Sequence, residues 1–322
     1  MHCLILGAAG MLGVKLASEV AGTGKIAGRN VTRLTLHDVV DPQVPVSIGC
    51  PVEALAGDLS RPGVAERVIA GRPDVIFHLA AIVSGEAEAD FDKGYRINLD
   101  GTRLLLEAIR STRACPRLVF ASSIAVFGAP FPDPIPDDFP LTPLTSYGTQ
   151  KAIGEALLAD YTRKGFVDGI GLRLPTIVVR PGAPNKAASG FFSNIIREPL
   201  AGLPAILPVS RDVVHWMASP RSAVGFLVRA AGLNSAEIGP RRNLTMPGLA
   251  ASVGEMIDAL RDMAGSKVAD LIREEPDSVI QSIVAGWPRQ FEAARARDLG
   301  FTAETDFKQI IESHVTDTGV VL

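Results

Sequence analysis

The stretch "HCLILGAAGMLGVKLASEVA", residues 2–21, decides the fold. Four apolar residues, Cys3 to Leu6, run without interruption into Gly7. Glycines then recur at 10 and 13, and helical periodicity begins as they end. A short apolar run is a buried strand, and the pattern after it is a helix packed back on that strand. Gly7 allows the tight turn, Gly10 admits the close approach of a pyrophosphate, and Gly13 lets helix and strand pack closely. Met11 and Leu12 open the helix. Its free N–H groups and positive dipole end suit phosphate oxygens. The strand before and the helix after make this a dinucleotide-binding turn.

Working outward, apolar runs and helical patterns alternate through the first half. "VTRLTLHD" (31–38), "VEALAGD" (52–58), "DVIFHLAA" (74–81), "RLVFASS" (117–123) and "GIGLRLPTIVV" (169–179) are expected strands. Segments such as "RPGVAERVIAG" and "NLDGTRLLLEAIRS" between them carry helical spacing. Such alternation predicts an α/β fold, a Rossmann-like doubly wound parallel sheet. Beyond Arg180 the alternation stops at the loop "RPGAPNKAASGFF". Helices are expected over 253–264 and 289–299, and a short strand at "RNLTMPG". The organisation expected is a dinucleotide-binding domain over 1–180 and a smaller, mainly substrate-binding lobe over 181–322, some of whose segments return to the first sheet.

Asp38 ends the second strand, where a carboxylate accepts hydrogen bonds from adenosine ribose hydroxyls and repels a 2′-phosphate. "HDVVDP" offers no arginine to such a phosphate, so NAD is expected over NADP; Asp41 is the rival carboxylate. In "GDL" (57–59), Asp58 with Leu59 is placed to meet the adenine amino group, or to cap the next helix. Ala80 and Ala81 leave room for cofactor backbone, and His78 reads as structural.

Bulk properties exclude several classes. The 322 residues carry a net charge of −3 and no basic stripe, so nucleic acid is not an expected partner. The apolar start has no basic region before it, and glycines break it before membrane length, so neither signal peptide nor membrane is expected. Cys3, Cys50 and Cys115 show no CxxC spacing, and the five histidines are dispersed. No metal is expected, and a reducing cytoplasm is.

"SYGTQK", residues 146–151, puts Tyr147 and Lys151 four apart where a helix begins, so phenol and ammonium share one face. Taken together, "GAAGMLG", "GDL", "HLAA", "NLDGT", "FASSIAVFG" and Tyr147-x-x-x-Lys151, in this order, resemble the extended short-chain dehydrogenase/reductase family over essentially the whole chain. The resemblance implies Ser123, Tyr147 and Lys151 as catalytic residues. Free tyrosine titrates near 10, and a nearby ammonium and a positive nicotinamide ring favour its phenolate. Tyr147 then takes a hydroxyl proton while hydride leaves the same carbon. Lys151 also reaches the nicotinamide ribose, and Ser123, in preference to Ser122, bonds the reacting oxygen. The family further implies a bracing or cofactor-side role for Asn98, and at Pro175 a turn of backbone amides toward the carboxamide. It also implies a homodimer through the helices that follow Asn98 and Tyr147.

The family spans epimerases, dehydratases and dehydrogenases. Dehydratases carry an acidic pair where this chain has Ile124 and Ala125, which excludes that chemistry. Nucleotide-sugar epimerases carry "RYFN" where this chain reads "RLPT", with Thr176 at the asparagine position. The loop after Arg180, with Asn185, Lys186 and Ser189, suits a compact hydroxylated anion. It resembles that of members acting on small 2-hydroxy sugar acids, which implies NAD-dependent oxidation of D-erythronate or a similar aldonate to the 2-oxo acid. A carboxylate needs a cationic or amide partner; Arg180, Lys186, Arg211 and Arg221 are the candidates. The alternatives are a nucleotide-sugar epimerase and a non-catalytic cofactor-binding module. The intact Ser123, Tyr147 and Lys151 speak against the second.

Overall fold

The computed structural model describes residues 1–46, 48–182 and 188–321, which divide into two compact units. The first comprises Met1–Val126, Pro143–Leu174 and Val224–Thr245. Its centre is a seven-stranded parallel sheet built from β1 (His2–Leu6), β2 (Arg33–Asp38), β3 (Val52–Ala56), β4 (Val75–His78), β5 (Arg117–Ser123), β6 (Asp168–Leu174) and the short strand Asn243–Thr245. The spatial order is β3-β2-β1-β4-β5-β6 and then Asn243–Thr245, with every pairing parallel.

Every residue of β1 and β4 is buried, as strands covered on both faces require. β1 leads into α1 (Met11–Thr23). The helices α2 (Val64–Ile69), α3 (Gly101–Thr112) and α4 (Ser146–Arg163) follow β3, β4 and β5. Leu4, Ile76, Leu118 and Phe120 of the sheet pack with Val68, Leu105, Ile109 and Leu158 of these helices in one apolar cluster. The strand order reverses between β1 and β4, and ligands of such sheets bind at the strand C-termini beside that reversal. The glycine turn of residues 7–13 lies there.

The second unit comprises Phe127–Thr142, Pro175–Ala223 and Met246–Leu322. It has a three-stranded sheet of Thr176–Ile177, Val214–Ala218 and Leu249–Ser252, and a separate parallel pair, Ala205–Leu207 with Ile272–Glu274. Helices Gly190–Leu200, Val253–Ala264 and Phe307–Thr318 pack Phe192, Ile196, Met256, Leu260 and Ile310 into its own core. A capping box starts the second of these: Ser252 Oγ accepts from Glu255 N, and the Glu255 carboxylate from Ser252 N.

Two local expectations change. The strand expected over 169–179 breaks at Pro175, which has no N–H for a ladder. Asp168–Leu174 stays in the large sheet, while Thr176–Ile177 pairs with Met217–Ala218. The helix expected over 289–299 shrinks to Ala294–Asp298, because Gln290 and Glu292 give their backbone bonds to Ile135. The strand in "RNLTMPG" is the seventh of the parallel sheet, so 224–245 belongs to the first unit and 127–142 to the second.

Candidate active site

Gly7 follows β1 with φ of +86°, a conformation that disfavours any side chain, and a Cβ there would lie 2.6 Å from Ala80 N. At Gly13 a Cβ would stand 2.1 Å from Gly7 O, so the helix can close on the turn only without one. Gly10, extended, precedes α1, and no side chain caps the amides of Met11, Leu12 and Gly13. The Asp38 carboxylate, at the tip of β2, accepts from Ala9 N (2.9 Å) and Val39 N (2.7 Å). This holds it against the glycine turn, whereas Asp41 lies exposed beyond it. Ala80 and Ala81 are half-buried on the far side of Gly7. A turn closed to a Cβ at Gly7 and Gly13, uncapped helix amides and a carboxylate beside them together fit a dinucleotide with free ribose hydroxyls.

Asp58 has other partners. Its carboxylate accepts from Ser60 N, Ser60 Oγ and Arg96 Nη1, the last at 2.6 Å. Burial raises its pKa, but the bonds from Ser60 and Arg96 outweigh this and hold the carboxyl below the usual range. It does not cap α2, whose N-cap is Gly63. Leu59 beside it is buried. Asn98, also buried, accepts from Ile82 N at 2.9 Å and donates to Gln150 Oε1 at 2.8 Å, bracing the segment after β4 against α4. Thr102 donates to Asn98 O, so its oxygen is left to accept from His78 Nε2 at 2.9 Å. Burial, with Lys151 nearby, pushes His78 down to about 3. It is neutral and structural.

α4 begins where Thr145 caps it, its hydroxyl accepting from Gly148 N at 3.0 Å. Tyr147 is half-buried in the first turn. Lys151, one turn on, is almost fully buried. The Lys151 Nζ lies 5.6 Å from the Tyr147 ring centroid and 4.9 Å from that of Phe120, and donates to Ala121 O at 2.7 Å. Burial lowers its pKa to about 8 against the pull of Glu155. At neutral pH the ammonium is therefore still charged. Ser123 ends β5, its Oγ accepting from Ala125 N at 3.1 Å, which leaves its own proton free to donate. Successive strand residues face opposite sides, and Ser122 turns the other way, donating to Glu155 Oε1 at 2.5 Å. Glu155 also pairs with Arg173 of β6 (2.9–3.1 Å), and all three side chains are buried. Sequence reading passed over Glu155 and Arg173. The available signal was a second acidic step of four residues after Lys151.

In the second unit, Thr176 Oγ1 lies 2.6 Å from His215 Nε2, and His215 Nδ1 lies 3.0 Å from Pro288 O. A carbonyl only accepts, so Nδ1 carries the proton and the Thr176 hydroxyl donates to Nε2. Burial pushes His215 down to about 4, in keeping with that neutral form. Pro175 immediately precedes this strand. Arg180 donates to Ser189 Oγ (2.7 Å) and Ile177 O (3.0 Å). Asn185 and Lys186 lie outside the described residues. Arg211 is taken up by a half-exposed ion pair with Glu274 at 2.7 Å, and Arg221 sits 3.4 Å from Asp317. Thus Arg180 and Ser189 come together, while Arg211 is engaged elsewhere. Among the described residues no grouping of His, Cys, Asp or Glu could hold a metal ion, and no helix is long and apolar enough to cross a membrane.

A family model described as the NAD dependent epimerase/dehydratase family matches residues 3–216. The chain belongs to that family, and its cofactor is NAD. Over 99% of both chains it is 48% identical to D-erythronate dehydrogenase of Cupriavidus necator. To the protein of that name from Haemophilus influenzae it is 40% identical, covering 98% of this chain and 99% of the relative. Among solved structures, it is 60% identical to a nucleoside-diphosphate-sugar epimerase from Agrobacterium tumefaciens, with a TM-score of 0.98 over 100% of this chain and 95% of that one. L-threonine dehydrogenase from Cupriavidus necator shares the fold at 23% identity and a TM-score of 0.86.

Proposed function

We propose that the protein oxidises D-erythronate, or a similar small 2-hydroxy sugar acid, to the 2-oxo acid. The observation that carries the chemistry is the buried ammonium of Lys151 beside the Tyr147 ring; the substrate rests on the end-to-end likeness to two D-erythronate dehydrogenases.

Gly7, Gly10, Met11, Leu12 and Gly13 hold the pyrophosphate. Asp38 takes the adenosine ribose and disfavours a 2′-phosphate, and Ala80, Ala81, Asn98 and Pro175 line the remaining cofactor side, with Asp58 and Leu59 toward the adenine. Bound NAD supplies the hydride acceptor. Tyr147, as phenolate, takes the proton of the C2 hydroxyl while Lys151 supplies the positive charge that favours the phenolate. The Ser123 hydroxyl, free to donate, holds the substrate oxygen. Arg180 with Ser189 is the cation and hydroxyl pair offered to the carboxylate, Asn185 and Lys186 serve the same loop, and Arg211 is assigned no part in binding because Glu274 holds it. We further propose a cytoplasmic homodimer formed through α3 and α4. Three unpaired cysteines support a reducing compartment.

The second reading, epimerisation of a nucleotide sugar, is favoured by the description of the Agrobacterium structure. NADH absorbance decides between them. Stoichiometric NADH on adding D-erythronate and NAD supports oxidation. No NADH with any four- to six-carbon sugar acid, but interconversion of a nucleotide sugar, overturns it.

A further inference from the structure

Resting on the reading of Tyr147 and Lys151 above, we propose that Glu155, clamped by Ser122 and Arg173, is a positioning residue that keeps the Lys151 ammonium charged and aimed at the Tyr147 side of α4.

Tyr147, Lys151 and Glu155 are spaced four apart, so they form one stripe along the helix. Tyr147 is half-buried at the open end of that stripe. Glu155 lies at the closed end with an exposure of 1%. A carboxylate so deep is costly unless bonded, and here both oxygens are taken, by Arg173 through Nε and Nη2 and by the Ser122 hydroxyl. The three contacts come from β5 and β6, so the carboxylate cannot swing toward Lys151 and neutralise it by direct contact. It acts through its field. Lys151 in turn donates to Ala121 O on the strand side. Its other close neighbours are the Phe120 and Tyr147 rings.

The remaining groups packed around the stripe do not supply this charge. From β4 comes His78, which burial keeps neutral. From the π-helical turn Tyr95–Asp100 comes neutral Asn98, bonded to Gln150, while Arg96 of that turn is paired with Asp58. Glu88, on the helix Ser84–Ala89, is engaged by Ser146 N, and Glu107 of α3 bonds Tyr161 near the far end of α4. Arg173 from β6 is the Glu155 partner itself. Burial drives the ammonium toward its neutral form, and Glu155 is the group that opposes it. The neighbouring serines of β5 thus divide the work, Ser123 toward the substrate and Ser122 toward the carboxylate that holds Lys151.

The test titrates Lys151 directly in the protein without cofactor, by 13C NMR of lysine-labelled protein, its resonance assigned by its loss in Lys151→Met. Glu155→Gln is expected to lower the Lys151 midpoint by about one unit. The high-pH limb of kcat/KM should fall with it, while kcat/KM below that limb stays near the wild-type value. Since Glu155→Gln takes the carboxylate away from the buried Arg173 guanidinium and risks unfolding, Glu155→Gln with Arg173→Met is the second variant; it is expected to fold and to show a lowered midpoint as well. An unchanged midpoint in the folded variants, or a uniform loss of kcat at every pH, overturns the proposal and makes the clamp purely structural. Failure of the underlying reading looks different: Lys151→Met would then retain wild-type kcat/KM.

Discussion

Lys151→Met is the perturbation whose outcome the structure fixes most closely. The wild-type side chain holds its proton to about 8 in the folded protein, against roughly 10.4 in the unfolded chain. At 1.36 kcal/mol per unit, burying the ammonium costs about 3 kcal/mol at neutral pH. Methionine fills a similar volume without a charge, so the substitution removes that cost. It also leaves Ala121 O without its donor, worth about 1–3 kcal/mol, and ends the contacts with the Phe120 and Tyr147 rings, worth about 1 kcal/mol each. These terms nearly cancel. The variant at pH 7 is expected to lie within about 2 kcal/mol of wild type, although its activity is lost.

The sharper signal lies in the pH dependence. Between pH 8 and about 10.4 the unfolded chain holds a proton that the folded protein has released, so wild-type stability rises with pH. Lys151→Met lacks this rise. Urea unfolding followed by circular dichroism at pH 7 and pH 10 should show the wild type gaining about 2 to 3 kcal/mol relative to the variant. Equal pH slopes, or a variant more than about 4 kcal/mol less stable at pH 7, would refute the claim that this residue is kept charged at a structural cost.

Other outcomes follow from single residues. Tyr147→Phe should lower kcat by about 10²–10⁴ with melting temperature and NAD affinity unchanged, read by steady-state kinetics and cofactor titration. Gly13→Ala forces a Cβ onto Gly7 O and should cost about 1–3 kcal/mol, with NAD binding lost in a fluorescence titration. Asp38→Asn should weaken NAD about tenfold by giving up charge-assisted bonds, and the NADP to NAD ratio of kcat/KM should rise. His215, buried neutral with a pKa of about 4, must lose stability as pH falls below its unfolded value of about 6.5. Relative to His215→Gln, the wild type should therefore lose about 2 kcal/mol between pH 7 and pH 5 in urea titrations.

The cofactor turn was legible in the sequence because its causes are local. A run of four apolar residues makes a buried strand, and the glycines at 7, 10 and 13 mark where backbone must approach backbone. The same holds for Tyr147 and Lys151, whose shared face follows from helical pitch alone, and for the alternation that announced the parallel sheet. Tertiary structure decided what depends on residues far apart in the chain. Nothing local told Ser122 from Ser123 by partner; Glu155, 33 residues on, claims the first. Asn243–Thr245 joined the sheet beside β6, though the surrounding sequence had lost its strand–helix rhythm. Pro175 split one apolar run between two sheets because a missing N–H matters only once the neighbouring strand is known. Thr176 acquired a fixed hydrogen-bond direction from His215, 39 residues away, and from Pro288 beyond it. Local periodicity and glycine placement are written along the chain; the partners of buried polar groups are set only when the folded backbone closes around them.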